Sequence, residues 1–189
     1  MRIKILFATF LLIGILANAQ GRRKNQSTIS GQYGYILDKD DLKGGFMVKG
    51  GYGRVFGDAG ILGKAEGFYQ KYDVKYLDNQ ILPYEKYGLN VSAGWSYEGL
   101  APVMINFYGG VYGAFEKANG GNQNDPLYNA EIPVKVTGFT YGLTGSAELE
   151  ILIVRRLSFV ADYAQYYDLK SDFSKSNFAF FGGLKYYIN

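Results

Sequence analysis

The sequence predicts an all-β fold, an eight-stranded antiparallel transmembrane β-barrel that follows an N-terminal signal peptide. Three observations predict it. Polar and apolar residues alternate over most of the chain, aromatic residues recur near both ends of the alternating segments, and short connections alternate with longer ones. A period of two is the pattern of a strand with one apolar face and one polar face.

The composition favours strands and excludes several kinds of active site. The 189 residues include 26 Gly, 18 Tyr and 13 Phe but only 4 Pro. With no Cys and no His, the chain has no disulfides, no Ser-His-Asp or Cys-His nucleophile and none of the usual zinc sites. We therefore expect no enzymatic activity, no cofactor and no metal site.

The first residues have the order of a secretory signal. Arg2 and Lys4 precede an apolar run from Ile5 to Leu16, and residues 17–19 form an A-x-A cleavage site. The apolar run is short for a membrane-spanning helix, although an N-terminal anchor helix is the alternative. We predict a signal peptide over 1–19, a short polar segment over 20–27 and the barrel over 28–189.

The charge of the mature chain is close to zero. Loss of Arg2 and Lys4 leaves 18 of 20 basic residues against 17 acidic ones, so the formal net charge falls from +3 to +1. Nucleic-acid binding requires a basic surface that neutralises phosphate. We therefore expect no direct binding of nucleic acid.

Eight segments alternate in the manner of strands. In one of them, Leu89, Val91 and Ala93 share an apolar face, while Asn90 and Ser92 share the other. We expect apolar side chains on the outside of the barrel, and charged residues and glycine on the inside. The predicted strands cover residues 28–37, 45–56, 61–73, 83–97, 103–116, 138–152, 156–167 and 177–188.

The placement of aromatic residues favours a membrane barrel over a soluble lipocalin-like barrel, whose apolar face points inward. In the fourth and eighth predicted strands, aromatic residues bracket aliphatic ones. Aromatic rings suit the two membrane–water interfaces, and aliphatic side chains suit the hydrocarbon between them. The predicted aromatic girdle consists of Tyr87, Trp95, Tyr97, Phe178, Phe180 and Tyr186.

The connections also fit an outer-membrane barrel. Those at 57–60, 96–101 and 154–156 are short, whereas those at 38–44, 73–81, 117–138 and 171–176 are longer. Short turns face the periplasm in such barrels, and longer loops face the exterior.

The last segment is expected to close the barrel. Because an unpaired strand edge is not tolerated in hydrocarbon, we expect the ending GLKYYIN, residues 183–189, to pair with the first strand. This ending also resembles the C-terminal signal, Gly-x-x-aromatic-x-apolar, by which outer-membrane barrels are recognised for assembly.

Charged residues on the polar faces are expected to point into the lumen. An eight-stranded barrel has an interior just wide enough for side chains to fill, and unpaired buried charge is costly. We therefore expect a network of ion pairs and hydrogen bonds, with a polar channel or an acid–base carboxylate pair as alternatives. The predicted members are Lys64, Glu66, Lys86, Glu148, Glu150, Asp162 and Lys185.

Two other features have a structural interpretation and a functional alternative. The stretch ANGGNQNDPLYNAE, residues 118–131, is expected to be an exposed, turn-rich loop that meets extracellular partners, although its oxygen-rich side chains leave calcium binding as an alternative. The glycine-rich stretches at 50–57 and 107–115 do not fit a phosphate-binding loop. We interpret them as bends of a tight barrel.

The order of five segments resembles the TraO family of conjugative transposon proteins, which belong to mobile elements of Gram-negative bacteria. The resemblance implies an outer-membrane component of a conjugative DNA-transfer apparatus, with other conjugative transfer proteins as partners, and it brings no catalytic residues. The segments are AEGFYQKYDVKY (65–76), LPYEKYGLNVSAGWSYE (82–98), YGGVYGAFEKANGG (108–121), FTYGLTGSAELEILIVRRLSF (139–159) and GGLKYYIN (182–189).

The first functional hypothesis is therefore a non-enzymatic component of a conjugation system. The alternative is a stand-alone OmpX-like outer-membrane barrel for adhesion or envelope integrity. A third hypothesis, a barrel enzyme that acts on lipid, lacks the histidine that such enzymes use. Each hypothesis places the exported chain among the lipids of the outer membrane of a Gram-negative bacterium.

Overall fold

The chain folds into one closed barrel of eight antiparallel strands in sequence order. The computed structural model describes residues 25–37, 42–56, 60–76, 80–171, 173 and 175–188. The predicted fold class is confirmed. The strands are β1 (Ser27–Ile36), β2 (Leu42–Phe56), β3 (Ile61–Tyr76), β4 (Gln80–Leu100), β5 (Val103–Ala118), β6 (Thr137–Val154), β7 (Leu157–Asp168) and β8 (Ser176–Tyr187).

Several sequence predictions fall on residues outside this description. The predicted signal peptide over 1–19 and most of the polar segment over 20–27 lie there. Ser27, the last residue of that segment, already belongs to β1.

A 3-10 helix, Asn119–Gly121, follows β5. No helix among the described residues is long and apolar enough to cross a membrane.

The seam of the barrel lies between β1 and β8, as the closing role of GLKYYIN requires. Thr28 lies opposite Tyr187, and Gly31 lies opposite Leu184. The backbone pairing continues one residue past the end of β8, because the Ile188 amide donates to the Ser27 carbonyl at 2.9 Å. The seam gives the backbone groups of both strands partners within the sheet.

The two ends of the barrel differ. The turn end carries the connections at 57–60, 101–102 and 155–156, and the loop end carries those at 37–41, 77–79, 119–136 and 169–175. The third connection is shorter than predicted, since pairing continues to Tyr76 opposite Gln80. Val74 and Leu82 lie opposite each other in this extension, and both are fully buried. Burial of this pair explains why the segment predicted as a loop is strand.

The turn between β4 and β5 is also shorter than the predicted 96–101 connection. β4 continues to Leu100 with a register irregularity between Tyr97 and Leu100, and the turn consists of residues 101–102. The pairing register shifts at this irregularity and pairing then resumes beyond it, so the strand extends past its predicted end.

The two faces of the wall follow the alternation. Leu89 is 69% exposed on the outside, whereas its chain neighbour Asn90 is buried inside. Glycine departs from the expectation, because it lies on both faces. Gly94 points inward, where a Cβ atom would lie 2.5 Å from the Tyr108 ring, but Gly145 points outward, where a Cβ would meet nothing within 4 Å.

Candidate functional site: the filled lumen and the capped loop end

A charged cluster fills the lumen near the turn end. The Lys185 ammonium donates to Glu148 at 2.5 Å and to Glu150 at 2.7 Å. The Asn106 amide donates to the same two carboxylates at 2.7 and 3.2 Å, and the Tyr187 hydroxyl donates to Glu150. These donors come from β5 and β8 and the carboxylates from β6, so the cluster ties the walls together across the lumen.

A second charged cluster lies at mid-height. Lys49 of β2 forms an ion pair with Asp162 of β7 across the barrel. Lys64 and Glu66, both on β3, pair at 3.2 Å, and the Asn90 amide donates to Glu66 at 3.2 Å. Each of the two lysines therefore has a carboxylate partner, and the attraction within each ion pair offsets the free-energy cost of removing the charges from water.

A third group surrounds Asp168 near the loop end. The Lys86 ammonium lies 2.7 Å from both Asp168 oxygens. The Tyr112 hydroxyl donates to Asp168 at 2.6 Å, and the Thr140 hydroxyl does so at 3.0 Å. Lys86 and Asp168 are 1% and 0% exposed, so this pair is sealed from solvent.

The structure places all seven charged residues of the predicted network inside the barrel, and six of them are buried, with Lys64 partly so. The prediction missed Lys49, Glu116 and Asp168. Lys49 shares the inward parity of Met47 on β2, a signal that could have identified it. Asp168 lies one residue beyond the predicted end of the seventh strand, so alternation alone did not include it.

The carboxylates of the lumen are engaged in ion pairs and hydrogen bonds. Glu116, for example, accepts from the Tyr84 hydroxyl at 2.6 Å and from the Ser171 hydroxyl at 2.8 Å. Across the described part of the chain, no group of three or more acidic side chains is placed to hold a metal ion. The lumen carboxylates therefore belong to a network of ion pairs and hydrogen bonds.

An apolar plug fills the lumen at the loop end, which the sequence did not predict. It combines inward residues of several strands with residues of the fifth connection. Aromatic rings pack closely within it, with Tyr72 and Tyr84 at 4.7 Å between centroids. The buried members are Ile36, Met47, Phe68, Tyr72, Val74, Leu82, Tyr84, Tyr112, Ala114, Ala118, Ile132, Val136, Ala164, Tyr166, Ala179 and Phe181.

The fifth connection caps this plug. Ile132 and Val136 are buried in it, and Val134 packs against it. The Gln123 amide donates to the carbonyls of Ile132 and Val134 at 2.5 and 2.9 Å. The stretch 118–131 is mostly exposed, as predicted, and the residues that anchor the connection in the barrel mouth, Ile132 and Val136, follow it.

The tip of the cap is an ordered turn. The Asp125 carboxylate accepts from the backbone amides of Leu127 and Tyr128 at 2.7 and 3.1 Å, a side-chain turn typical of Asp. Leu127 and Tyr128 are 70% and 78% exposed. The cap therefore presents an apolar residue and a tyrosine at its outermost turn.

The outer wall carries aromatic residues at two levels. Near the loop end, Phe115 contacts Tyr87 and Phe139 at centroid distances of 6.0 and 5.4 Å. Near the turn end, Trp95 contacts Tyr97 at 6.2 Å. The six residues of the predicted girdle all point outward, namely Tyr87, Trp95, Tyr97, Phe178, Phe180 and Tyr186.

The spacing of these levels matches a bilayer. Tyr87 and Tyr97 lie on one strand, and ten residues at about 3.4 Å each, tilted by about 40°, span about 26 Å. Aliphatic residues such as Val91 occupy the interval. Beyond the loop-end level, Lys71 donates to Glu85 at 3.2 Å, and this hydrogen bond raises the pKa of Lys71.

Comparisons with known proteins identify the fold. No family model matches the chain, and no curated protein matches its sequence. Neisserial surface protein A (NspA) has a similar fold, with 11% sequence identity and a TM-score of 0.58, and the alignment covers 88% of this chain and 99% of that one. The outer membrane protein OprG from Pseudomonas aeruginosa is similar with 10% identity and a TM-score of 0.59, over 91% of this chain and 100% of that one. Ail, the attachment invasion locus protein of Yersinia pestis, solved with the heparin analogue sucrose octasulfate, is similar with 13% identity and a TM-score of 0.53, over 88% of this chain and 100% of that one.

At these identities the likeness establishes the fold alone. The chain has the fold of the eight-stranded barrels found among outer-membrane proteins.

Proposed function

We propose that the chain is a non-enzymatic outer-membrane protein of a Gram-negative bacterium, and that it acts at the cell surface in attachment or in envelope integrity. One observation carries the proposal: an apolar outer wall between two aromatic levels encloses a lumen filled by paired charges and packed rings. Such a wall suits lipid, and such a lumen leaves the loop end as the surface for contact with the exterior.

The loop end supports a binding role. The cap at 119–136 is anchored by Ile132 and by the Gln123 amide, so its exposed tip is held in place before any partner arrives. A preordered tip loses less conformational entropy on binding. Leu127 and Tyr128 give it an apolar contact and a hydrogen-bonding hydroxyl. The similar fold of Ail, the attachment invasion locus protein of Yersinia pestis, agrees with this role.

The membrane location is tested first, in a Gram-negative host that expresses the full chain. We expect the protein in the outer-membrane fraction, and we expect the unheated sample to migrate differently from the boiled sample on a denaturing gel. A closed barrel resists detergent because its backbone ladder has no free edge. Recovery in soluble fractions, with identical migration before and after boiling, would refute the proposal.

The surface role is tested with a variant of the tip. Leu127→Ser/Tyr128→Ser removes the apolar contact, and Ile81→Ser is the matched control because Ile81 is also exposed at the loop end. Reduced attachment to host-cell or matrix surfaces by the double variant alone supports attachment. Unchanged attachment, combined with increased detergent sensitivity after gene deletion, supports envelope integrity. If neither property changes on deletion, both roles are wrong.

The second candidate is a role in conjugative DNA transfer. It is supported by the five segments that resemble the TraO family, including residues 82–98 and 139–159. It predicts transfer genes beside the coding sequence and a lower mating frequency when the gene is deleted from its element. Unchanged transfer over several mating conditions would reject this candidate and leave the surface role in place.

A further inference from the structure

The turn-end and mid-height charged clusters carry more negative than positive charge. Over the part of the chain that the structure describes, they contain three lysines against four carboxylates, so their formal net charge is −1. The surplus arises because Glu148 and Glu150 share one ammonium, that of Lys185. A buried charge without a counter-charge is costly, so one further cation would stabilise these clusters. The charged members are Lys49, Lys64, Glu66, Glu148, Glu150, Asp162 and Lys185.

Three side-chain oxygens at mid-height are poorly served by donors. Glu148 Oε1 accepts from Lys185 at 2.5 Å and from Asn106 at 2.7 Å, whereas Glu148 Oε2 accepts from the Gln32 amide at 3.3 Å. Gln32 Oε1 and Asp162 Oδ1 have no hydrogen-bond partner among the described residues, and these two side chains are 6% and 3% exposed. Because all three atoms are acceptors, their occupant must be a donor or a cation.

The three oxygens belong to neighbouring side chains. Glu148 and Asp162 lie opposite each other in the β6–β7 ladder and both point inward, which places their Cβ atoms about 5 Å apart. Gln32 Oε1 is bonded to the same carbon as the Nε2 atom that reaches Glu148. The side chains of Lys64 and Lys185 keep 9% and 8% of their surface exposed, so the clusters leave room beside them for a species of the size of water.

We infer that Glu148 Oε2, Asp162 Oδ1 and Gln32 Oε1 form a binding site for a small monovalent cation such as Na⁺. Hard cations take oxygen ligands, and a single positive charge cancels the surplus of −1. A water molecule would satisfy two of the acceptors but would leave that surplus in place. The absence of Cys and His removes the usual zinc ligands and does not bear on a site built from oxygen atoms.

Urea unfolding at constant ionic strength tests the site. The full chain is folded into phosphatidylcholine vesicles, whose headgroups carry no net charge, and unfolding is followed by the fluorescence of Trp95. A cation that binds only the folded barrel raises the folding equilibrium constant in proportion to its concentration once the site is saturated. Replacing tetramethylammonium chloride with NaCl should therefore stabilise the barrel. Each further tenfold rise in Na⁺ should raise the equilibrium constant about tenfold.

Gln32→Met should remove this dependence on Na⁺, because it deletes one of the three oxygens. Gln70→Met is the matched control. Gln70 is a second inward glutamine, 0% exposed, and both of its amide atoms lack a hydrogen-bond partner among the described residues. It lies opposite Lys86 in the β3–β4 ladder, away from Glu148. Gln70→Met should therefore keep the full dependence on Na⁺.

A lysine at position 32 should replace the ion with a tethered ammonium. Gln32→Lys should be as stable in tetramethylammonium chloride as in NaCl. Gln70→Lys is again the control, because Gln32 lies opposite Lys49 and Gln70 lies opposite Lys86, so each substitution places an ammonium beside an existing lysine. Only position 32 offers surplus negative charge nearby. We therefore expect Gln70→Lys to have a much smaller folded fraction than Gln32→Lys.

Three results would overturn the cation site. Equal stability of the unmodified chain in the two salts would mean that water alone meets these oxygens. A dependence on Na⁺ that persists in Gln32→Met would place the ion elsewhere. Gln32→Lys as unstable as Gln70→Lys would show that position 32 does not accept a positive charge. Each of these results, with the heat-dependent gel shift of the unmodified chain intact, would leave the membrane location and the proposed surface role standing.

Discussion

At the scale of single residues, the lumen depends on matched charges. Lys86 is sealed from solvent and faces Asp168, which also accepts from Tyr112 and Thr140. Lys71, on the outer face, pairs with Glu85, but these side chains are 46% and 35% exposed. A buried charge that loses its partner remains unpaired and without water, whereas an exposed charge that loses its partner is hydrated.

Lys86→Met should therefore destabilise the barrel strongly. Asp168 would be left as a buried carboxylate without a cation, which costs about 3–5 kcal/mol of unfolding free energy. Urea unfolding in lipid vesicles, followed by the fluorescence of Trp95, the one tryptophan of the chain, measures the loss. The matched control Lys71→Met should change the free energy by less than about 1 kcal/mol.

A second substitution checks the cause of the effect. Adding Asp168→Asn to Lys86→Met removes the stranded charge and should recover part of the lost stability. Equal losses from Lys86→Met and Lys71→Met, or no recovery in the double variant, would contradict the account of Asp168.

At the scale of strands, alternation predicted most of the wall, and packing decided its limits. The identity of each strand follows from the period of two, which is local and visible in the sequence. For β4, the predicted strand over 83–97 lies within the observed Gln80–Leu100. The strand ends depend on contacts distant in sequence. The β3–β4 extension exists because Val74 and Leu82 enter a plug completed by Ile132, some fifty residues later in the chain. No local pattern contains that contact.

The candidate site was predictable to the same degree. Inward parity identified charged residues such as Glu148 and Lys185, because a lumen of this width leaves them no other environment. Their pairing was not predictable, since Lys49 meets Asp162 only when β2 and β7 face each other across the closed barrel. The aromatic plug was not predicted because inward tyrosines such as Tyr112 carry a hydroxyl group, so they count as polar residues in the alternating pattern.

The seam between β1 and β8 should be sensitive to one added methyl group. A Cβ at Gly183 would collide with the Gly31 carbonyl oxygen and lie 2.7 Å from the Gln32 Cα, whereas a Cβ at Gly182 would meet only Phe159, at 4.0 Å. Gly183→Ala should therefore cost about 1–3 kcal/mol of unfolding free energy. Gly182→Ala, one residue away and facing outward, should cost less than about 0.5 kcal/mol.

The gel shift and urea unfolding measure the two seam variants side by side. We expect a smaller folded fraction in unheated samples of Gly183→Ala than in those of Gly182→Ala. The reverse order would show that β1 and β8 do not approach as closely as the structure has them.

The cap should open when its anchor is removed. Ile132→Asn places an amide in the apolar plug and forfeits about 2–5 kcal/mol of burial, which corresponds to more than tenfold in the opening equilibrium of the loop. Chymotrypsin cleavage at the exposed Tyr128 should accelerate accordingly in folded protein. Glu131→Asn, which alters the exposed neighbour, should leave the cleavage rate near that of the unmodified chain. Equal rates for both variants would mean that Ile132 does not hold the cap.

At the scale of the whole molecule, the distribution of side chains is the reverse of that in a soluble globular protein. Leu89 and Val91 are exposed on the wall, while Glu148, Glu150 and Lys185 are buried. In water this arrangement would expose a continuous apolar belt and give no gain for burying charge. In a bilayer the belt is solvated by lipid and the closed ladder satisfies the backbone. The two ends of the barrel must then face different compartments.

The last prediction concerns which end faces outward. The chain has no cysteine, so Tyr128→Cys at the loop end, Arg155→Cys at the turn end and Val111→Cys in the belt each give one reporter thiol. A polyethylene-glycol maleimide too large for porins should label Tyr128→Cys in intact cells, because loops face the exterior in outer-membrane barrels. Arg155→Cys should react only after the outer membrane is opened, and Val111→Cys should stay unlabelled in both states because lipid covers it. Labelling of Arg155→Cys in intact cells, with Tyr128→Cys protected, would invert the orientation and move the partner-binding surface from the cap to the short turns.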